Sequence, residues 1–181
     1  MKIIGLTGKA GAGKTLVASM LGYRVIGLAD PLYAAISAML DVEVEDLLDR
    51  ERKEVPIPWL GKSPRELLQT LGTDWGRDLI RPDLWTLLCR RRLEKMAADG
   101  VEGVAVCDVR FSNEVELVRS FGGEVWRVVR PGAETTPHQH RSENGLPDSA
   151  IDCTIVNDCG IDDLRGRVLT AWEASRAALA R

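Results

Sequence analysis

The sequence has no long apolar run, no surplus of positive charge and no paired cysteine motif, and each absence removes a class of protein. No apolar stretch in its 181 residues approaches a membrane span, and Met1-Lys2 leads directly into a strand pattern rather than a signal segment. The expectation is a cytoplasmic protein. With 24 Lys and Arg against 27 Asp and Glu, the formal net charge of −3 gives nucleic acid or a membrane surface no long-range attraction. Any anion site must be local. Cys89, Cys107, Cys153 and Cys159 form no C-x-x-C pair, so they read as reduced, buried thiols rather than disulfides or metal ligands. His138 and His140 have no third partner nearby and make no metal site. No repeat or linker interrupts the chain, and 45% hydrophobic content suits a single domain over residues 1–181.

What is present begins with Gly8-Lys9-Ala10-Gly11-Ala12-Gly13-Lys14-Thr15, which follows the apolar run Ile3-Ile4-Gly5-Leu6 and precedes Leu16-Val17-Ala18. It fits G-x-x-x-x-G-K-[ST] between a buried strand and a helix, which is where the chemistry requires it. Glycines let the backbone wrap so that successive N–H groups converge on phosphate oxygens. Lys14 can then reach the β- and γ-phosphates, the Thr15 hydroxyl can ligate Mg²⁺, and the next helix adds its positive end. Gly8, Ala10, Gly11, Ala12, Gly13, Lys14, Thr15 and Leu16 are therefore the candidate ATP-binding set.

Downstream, Tyr23–Ala29 reads as a second strand, ended by Asp30-Pro31. Asp30 fits an N-cap with Pro31 at the first helical position, and it equally fits a carboxylate facing the ligand crevice of an α/β sheet. Leu32, Ala35, Ile36, Met39 and Leu40 follow a helical period, and 42–54 is charged with little apolar face past Leu47 and Leu48. From Ser63-Pro64 to about Ile80 the spacing predicts one helix with Leu68, Leu71, Trp75 and Leu79 as its apolar stripe, which makes Trp75 core rather than a stacking platform. Arg65, Gln69, Thr73 and Arg77 share another face. An amide beside a bidentate cation suits a nucleobase and a phosphate. Gly72 and Gly76 each cost that helix about 1 kcal/mol relative to alanine. Close approach of a ligand or close helix packing would account for them.

A helix through Trp85, Leu88 and Leu93 carries Arg90-Arg91-Arg92 as a solvated face. Val104–Asp108 is a third buried strand with Asp108 at its C-terminal end, where a phosphate-loop fold holds an acidic residue near Mg²⁺ or the acceptor, and Arg110 follows in the same crevice. Asn113 and Glu116 have capping-box spacing. A fourth strand spans 124–129. Residues 130–150 form a long polar segment rich in Pro and Gly that reads as a lid, with Arg130 and Arg141 as candidate phosphate clamps. A fifth strand at 152–156 and a last helix with Ile161, Leu164, Val168, Trp172 and Leu179 on one stripe close the pattern. The sum is an α/β fold: a five-stranded, mostly parallel sheet with helices on both faces, a helical insertion at about 31–100 and the lid. Donor triphosphate at the loop, acceptor under the insertion and a cover above is the plan of a small phosphoryl-transfer enzyme.

Several further segments carry a resemblance: Ala29-Asp30-Pro31-Leu32, Leu68-Gln69-Thr70-Leu71-Gly72-Thr73-Asp74-Trp75-Gly76-Arg77, Asp83-Leu84-Trp85, Asp108-Val109-Arg110-Phe111-Ser112-Asn113-Glu114 and His140-Arg141-Ser142-Glu143. Together with the phosphate loop the chain resembles the bacteriophage-type deoxynucleoside monophosphate kinases, within the P-loop nucleotide kinases. The Ile155-Val156-Asn157…Gly160 pattern also resembles dephospho-coenzyme A kinases. The resemblance implies ATP- and Mg²⁺-dependent conversion of deoxynucleoside monophosphates to diphosphates in a homodimer, while the charge and the lack of a long apolar run argue against a nucleic-acid or membrane partner. On that reading Lys14, Asp108, Arg110 and Arg141 are catalytic, and Thr15 and Asp108 hold the metal. Asp30, Arg65, Gln69, Thr73, Arg77, Trp85, Asp108, Arg110 and Arg130 bind the acceptor. Another small-molecule kinase, or a nucleotide-dependent switch, is the competing expectation. The chain has no Asn-Lys-x-Asp guanine signature to favour the switch.

Overall fold

A computed structural model of the chain describes residues 1–133 and 145–179. Five strands, β1 (Lys2–Thr7), β2 (Arg24–Gly27), β3 (Gly103–Cys107), β4 (Glu124–Val129) and β5 (Cys153–Val156), make one parallel sheet in the order β2-β3-β1-β4-β5. The helices are α1 (Lys14–Met20), α2 (Asp30–Leu40), α3 (Val44–Leu48), α4 (Arg50–Lys53), α5 (Pro64–Gln69), a π-helix (Thr70–Ile80), α6 (Leu84–Ala98), α7 (Ser112–Ser120) and α8 (Ile161–Leu179), with a 3₁₀ turn at Asp148–Ala150. No helix among the described residues is long and apolar enough to cross a membrane. The chain divides into two compact units, Met1–Gly27 with Arg90–Arg181, and Leu28–Cys89.

The first unit holds the sheet. Side chains alternate across β1, so Ile4 and Leu6 join Trp126, Val128, Ala105 and Ile155 against Val17 and Ala18 of α1 and Leu164 and Val168 of α8. Each such buried Leu, Ile or Val side chain contributes about 1.5–3 kcal/mol. Gly5 points the other way, toward α7: a Cβ there would lie 2.9 Å from Val118. Helices thus cover both faces, and the central strands β1 and β3 are buried almost throughout while the edge strand β2 starts exposed. Leu16 at the start of α1 is exposed, and Val17 and Ala18 turn inward instead. On α8, Ile161 also points to solvent and the buried stripe starts at Leu164.

The second unit is helical, and the sequence pattern misreads part of it. Asp30 is the first residue of α2, so Ala29 and not Asp30 occupies the N-cap position. In α2 only Leu32 and Ile36 are fully buried, whereas Met39 is exposed. α5 opens with a capping box: the Glu66 N–H donates to Ser63 Oγ at 3.2 Å, and the Ser63 N–H donates to Glu66 Oε2 at 2.9 Å. After Gln69 the helix widens. The Arg81 N–H donates to the Gly76 carbonyl five residues back at 3.0 Å, the bonding of a π-helix. This widening rotates the expected stripe outward, leaving Trp75 44% and Leu79 72% exposed, and buries Gly72, Thr73, Gly76 and Arg77. The glycines mark close packing, tightest at Gly76. A Cβ on Gly72 would lie 3.1 Å from Leu32 Cδ1, and one on Gly76 would lie 2.7 Å from Trp85 Cε2.

Candidate active site

β1 lies between β3 and β4, all running the same way, so their C-terminal ends share one edge of the sheet. The sequence-chosen residues of the first unit gather at that edge: the loop 8–15 after β1, Asp108 and Arg110 after β3, and Arg130 after β4. This is the edge where an open α/β sheet binds ligands.

The loop is held in a shape that side chains would spoil. Gly8, Gly11 and Gly13 have φ of 136°, 76° and 101°, in the left-handed region that glycine alone enters freely. At Gly8 the space is also closed, since a Cβ would run into the Val128 carbonyl oxygen of the neighbouring strand. Ala12 is buried, with its N–H donating to the Lys9 carbonyl at 3.2 Å. Lys14 arches back over the loop, and its Nζ donates to the Gly8 carbonyl at 2.8 Å and the Lys9 carbonyl at 3.0 Å. Thr15 stands exposed in the first turn of α1.

Asp108 is a non-glycine residue at φ 68°, which costs backbone strain of order 1 kcal/mol. The kink turns the chain at the end of β3 so that the Val109 N–H can donate to the Leu6 carbonyl of β1 at 3.1 Å. Arg110 follows at once. Its N–H donates to Glu114 Oε2 at 2.6 Å, and the Phe111 N–H donates to the same oxygen at 3.1 Å. Glu114, 3% exposed, is thus the group that shapes the start of α7, rather than the pair Asn113 and Glu116 that the spacing suggested. The Glu114 half of such a cap lies two residues earlier because α7 starts at Ser112. Glu114 at the third helical position was the available signal, and Phe111 hid it, since a phenyl ring cannot supply the other half of a capping box.

For Mg²⁺ the chemistry of the donors is suitable. Such ions take one or two protein oxygens with phosphate and water making up the rest, and the Thr15 hydroxyl with the Asp108 carboxylate is a set of that kind. Among the described residues there is no cluster of three or more His, Cys, Asp and Glu that would hold a metal without such help. All four cysteines are free thiols. Burial, with Glu124 and Asp152 nearby, pushes the Cys153 thiol up and keeps it protonated.

The second unit carries Asp30, Arg65, Gln69, Thr73, Arg77 and Trp85. Arg65 pairs with Glu54 and is mostly covered. Gln69 ends α5, half-buried, while Thr73 and Arg77 lie buried on the π-helix, where Arg77 Nη1 donates to the Pro82 carbonyl at 3.0 Å. Trp85 is 7% exposed, and its Nε1–H donates to the Gly72 carbonyl at 2.6 Å, anchoring the face that Gly72 and Gly76 leave open. Asp30 is exposed at the start of α2. Sequence reasoning passed over Lys53, whose Nζ meets both the hydroxyl and the ring face of Tyr33. Arg141, His138 and His140 lie outside the described residues.

Comparison with known proteins gives a consistent identity. A protein of Acanthamoeba polyphaga mimivirus that bears a provisional deoxynucleotide monophosphate kinase name is 31% identical over 94% of this chain and 95% of its own length. Deoxynucleoside-5'-monophosphate kinase of Escherichia phage T5 is 33% identical over 64% of this chain, and deoxynucleotide monophosphate kinase of Escherichia phage RB69 is 30% identical over 71%. The matches cover 48% and 51% of those two phage proteins, about half of each. The family described as deoxynucleotide monophosphate kinase matches residues 59–168, which take in the π-helix, Asp108 and the start of α8. The chain belongs to the deoxynucleotide monophosphate kinase family.

Proposed function

We propose that this chain transfers the γ-phosphoryl group of ATP to the phosphate of a deoxynucleoside monophosphate, giving the diphosphate and ADP. The observation that carries the reading is the glycine-wrapped loop with Lys14 arched over it, at the strand edge that also presents Asp108 and Arg110, in a chain of this family. An oxygen of the acceptor phosphate attacks the γ-phosphorus in line. The bond from that phosphorus to the oxygen bridging it to the β-phosphorus breaks, and ADP carries away the electron pair. Little covalent work falls to the protein, so its task is positioning and charge stabilisation.

In this assignment the loop amides and Lys14 hold the triphosphate, and Lys14 exchanges its bonds to the Gly8 and Lys9 carbonyls for phosphate oxygens. Thr15 and Asp108 would hold Mg²⁺, which when bound supplies neutralisation of phosphate charge. Arg77 and Arg110 take the acceptor phosphate through forked guanidinium contacts, and Gln69 reads the base. Asp30, Arg65, Thr73 and Trp85 complete the acceptor pocket, within an insertion at about 31–100. Arg130 and Arg141 close from the 130–150 lid and exclude water, which would otherwise turn transfer into hydrolysis. The proposal extends to a cytoplasmic homodimer that does not engage nucleic acid, consistent with the net charge of −3.

A coupled assay of ADP formation across the four deoxynucleoside monophosphates, their ribonucleotide counterparts and dephospho-coenzyme A tests this. Turnover with at least one deoxynucleotide and none with dephospho-coenzyme A is expected. The reverse pattern contradicts the acceptor assignment, and ADP formation that ignores every acceptor contradicts the transfer itself.

A further inference from the structure

Asn157 lies 145 residues from the phosphate loop in sequence and touches it directly. It follows β5, where its backbone N–H donates to the Val129 carbonyl at the end of β4 at 2.7 Å. Its position is therefore fixed by the sheet. From there the side-chain Nδ2 donates to the Ala12 carbonyl at 2.9 Å, inside the loop and two residues before Lys14. The fit is close: a Cβ on Gly13 would come 2.5 Å from the same Nδ2, so the left-handed φ of 101° and the side chain of Asn157 both demand glycine there.

The peptide joining Ala12 to Gly13 is planar and trans, so its C=O and N–H point in opposite directions. Holding the Ala12 carbonyl toward Asn157 therefore fixes the Gly13 N–H to face away from Asn157. That N–H belongs to the set whose convergence makes a phosphate cradle. A carbonyl turned inward instead would present negative charge to the triphosphate.

We propose that Asn157 is a positioning residue for the donor triphosphate: it locks the Ala12–Gly13 peptide in the orientation that offers N–H rather than C=O to phosphate. The inference rests on the nucleotide reading above and deepens it, tying the end of the last strand to the first loop. Asn157 acts through the loop and makes no claim on the acceptor.

Two variants test it. Asn157→Asp keeps the shape but replaces the donor with an acceptor facing another acceptor, and Asn157→Ala removes the side chain. Affinity for a non-hydrolysable ATP analogue by calorimetry, KM for ATP, KM for the deoxynucleotide and the melting temperature are measured for both. The expected result is an ATP KM and analogue Kd raised roughly five- to tenfold in Asn157→Ala, the loss of about one hydrogen bond. A larger rise is expected in Asn157→Asp, with acceptor KM unchanged in both variants. Unchanged analogue affinity in the folded variants overturns the inference alone. So does a parallel rise of both KM values with a fall in melting temperature, or loss of the melting transition in both variants, either of which marks a structural role. Wild-type protein that binds no analogue removes the nucleotide reading, and this inference with it.

Discussion

Replacing Gly76 by alanine separates two explanations of a glycine in the middle of a helix. If Gly76 were only a weak spot, alanine would stabilise the helix by about 1 kcal/mol. The structure argues for the opposite sign. A Cβ there would sit 2.7 Å from Trp85 Cε2 and 2.8 Å from Nε1, well inside van der Waals contact. The ring is 7% exposed and rigid, so it cannot yield locally. Overpacking of this kind costs about 1–3 kcal/mol. Moving the ring also breaks the bond from Trp85 Nε1 to the Gly72 carbonyl, and a buried donor left without its partner costs about 1–3 kcal/mol more. Against the propensity gain, the net loss is about 1–5 kcal/mol. At about 2–4 °C per kcal/mol for a chain of this size, the melting temperature should fall by several degrees or more. Gly72→Ala is the internal control: its Cβ would meet only the tip of Leu32 at 3.1 Å, a side chain that can give by a few tenths of an ångström. Thermal and urea unfolding of both variants should show Gly76→Ala clearly destabilised and Gly72→Ala within about 1 kcal/mol of wild type. A Gly76→Ala protein as stable as wild type would refute the packing explanation.

Other perturbations probe the assigned roles. Arg77→Ala should raise the acceptor KM about tenfold or more while ATP affinity stays nearly intact, the loss of a charge-assisted contact, and equal loss of both would refute the assignment. Arg141→Ala should mainly lower kcat, and an unchanged rate would take that arginine out of the mechanism. Ser63→Ala should cost about 1 kcal/mol in urea unfolding through loss of the cap on α5. The Ser63 backbone N–H, with help from Lys62, holds the Glu66 carboxyl below its usual range. Its contribution is therefore present above the unfolded-state pKa and is lost as pH falls through the lower folded-state value. Glu66→Gln should flatten that part of the acid dependence, and an unaltered acid profile would count against it.

The central strands β1 and β3 were the most legible part of the sequence, because a parallel strand covered on both faces must be a nearly continuous apolar run, and these two are such runs. The phosphate loop was equally plain, its glycines being required by backbone angles that only a few residue types tolerate. The π-helix was not legible. An apolar stripe reports burial only if the helical period is known, and widening at Thr70–Ile80 carried Trp75 and Leu79 into solvent. Gly72 and Gly76 signalled a close approach without naming what approached, and only Leu32 and Trp85 answer that. Asp30 shows a different limit: a good capping residue does not take the N-cap position when the helix starts one residue early. Glu114 and Asn157 bond to backbone groups, so the sequence names no side-chain partner for either.

The most direct test of the account follows the phosphoryl group itself, using ATP labelled at the γ position, Mg²⁺ and a deoxynucleoside monophosphate. Label appearing in the deoxynucleoside diphosphate, and abolished by Lys14→Ala in a variant that still melts like wild type, is the predicted result. Label released as inorganic phosphate at a rate indifferent to the acceptor would contradict it.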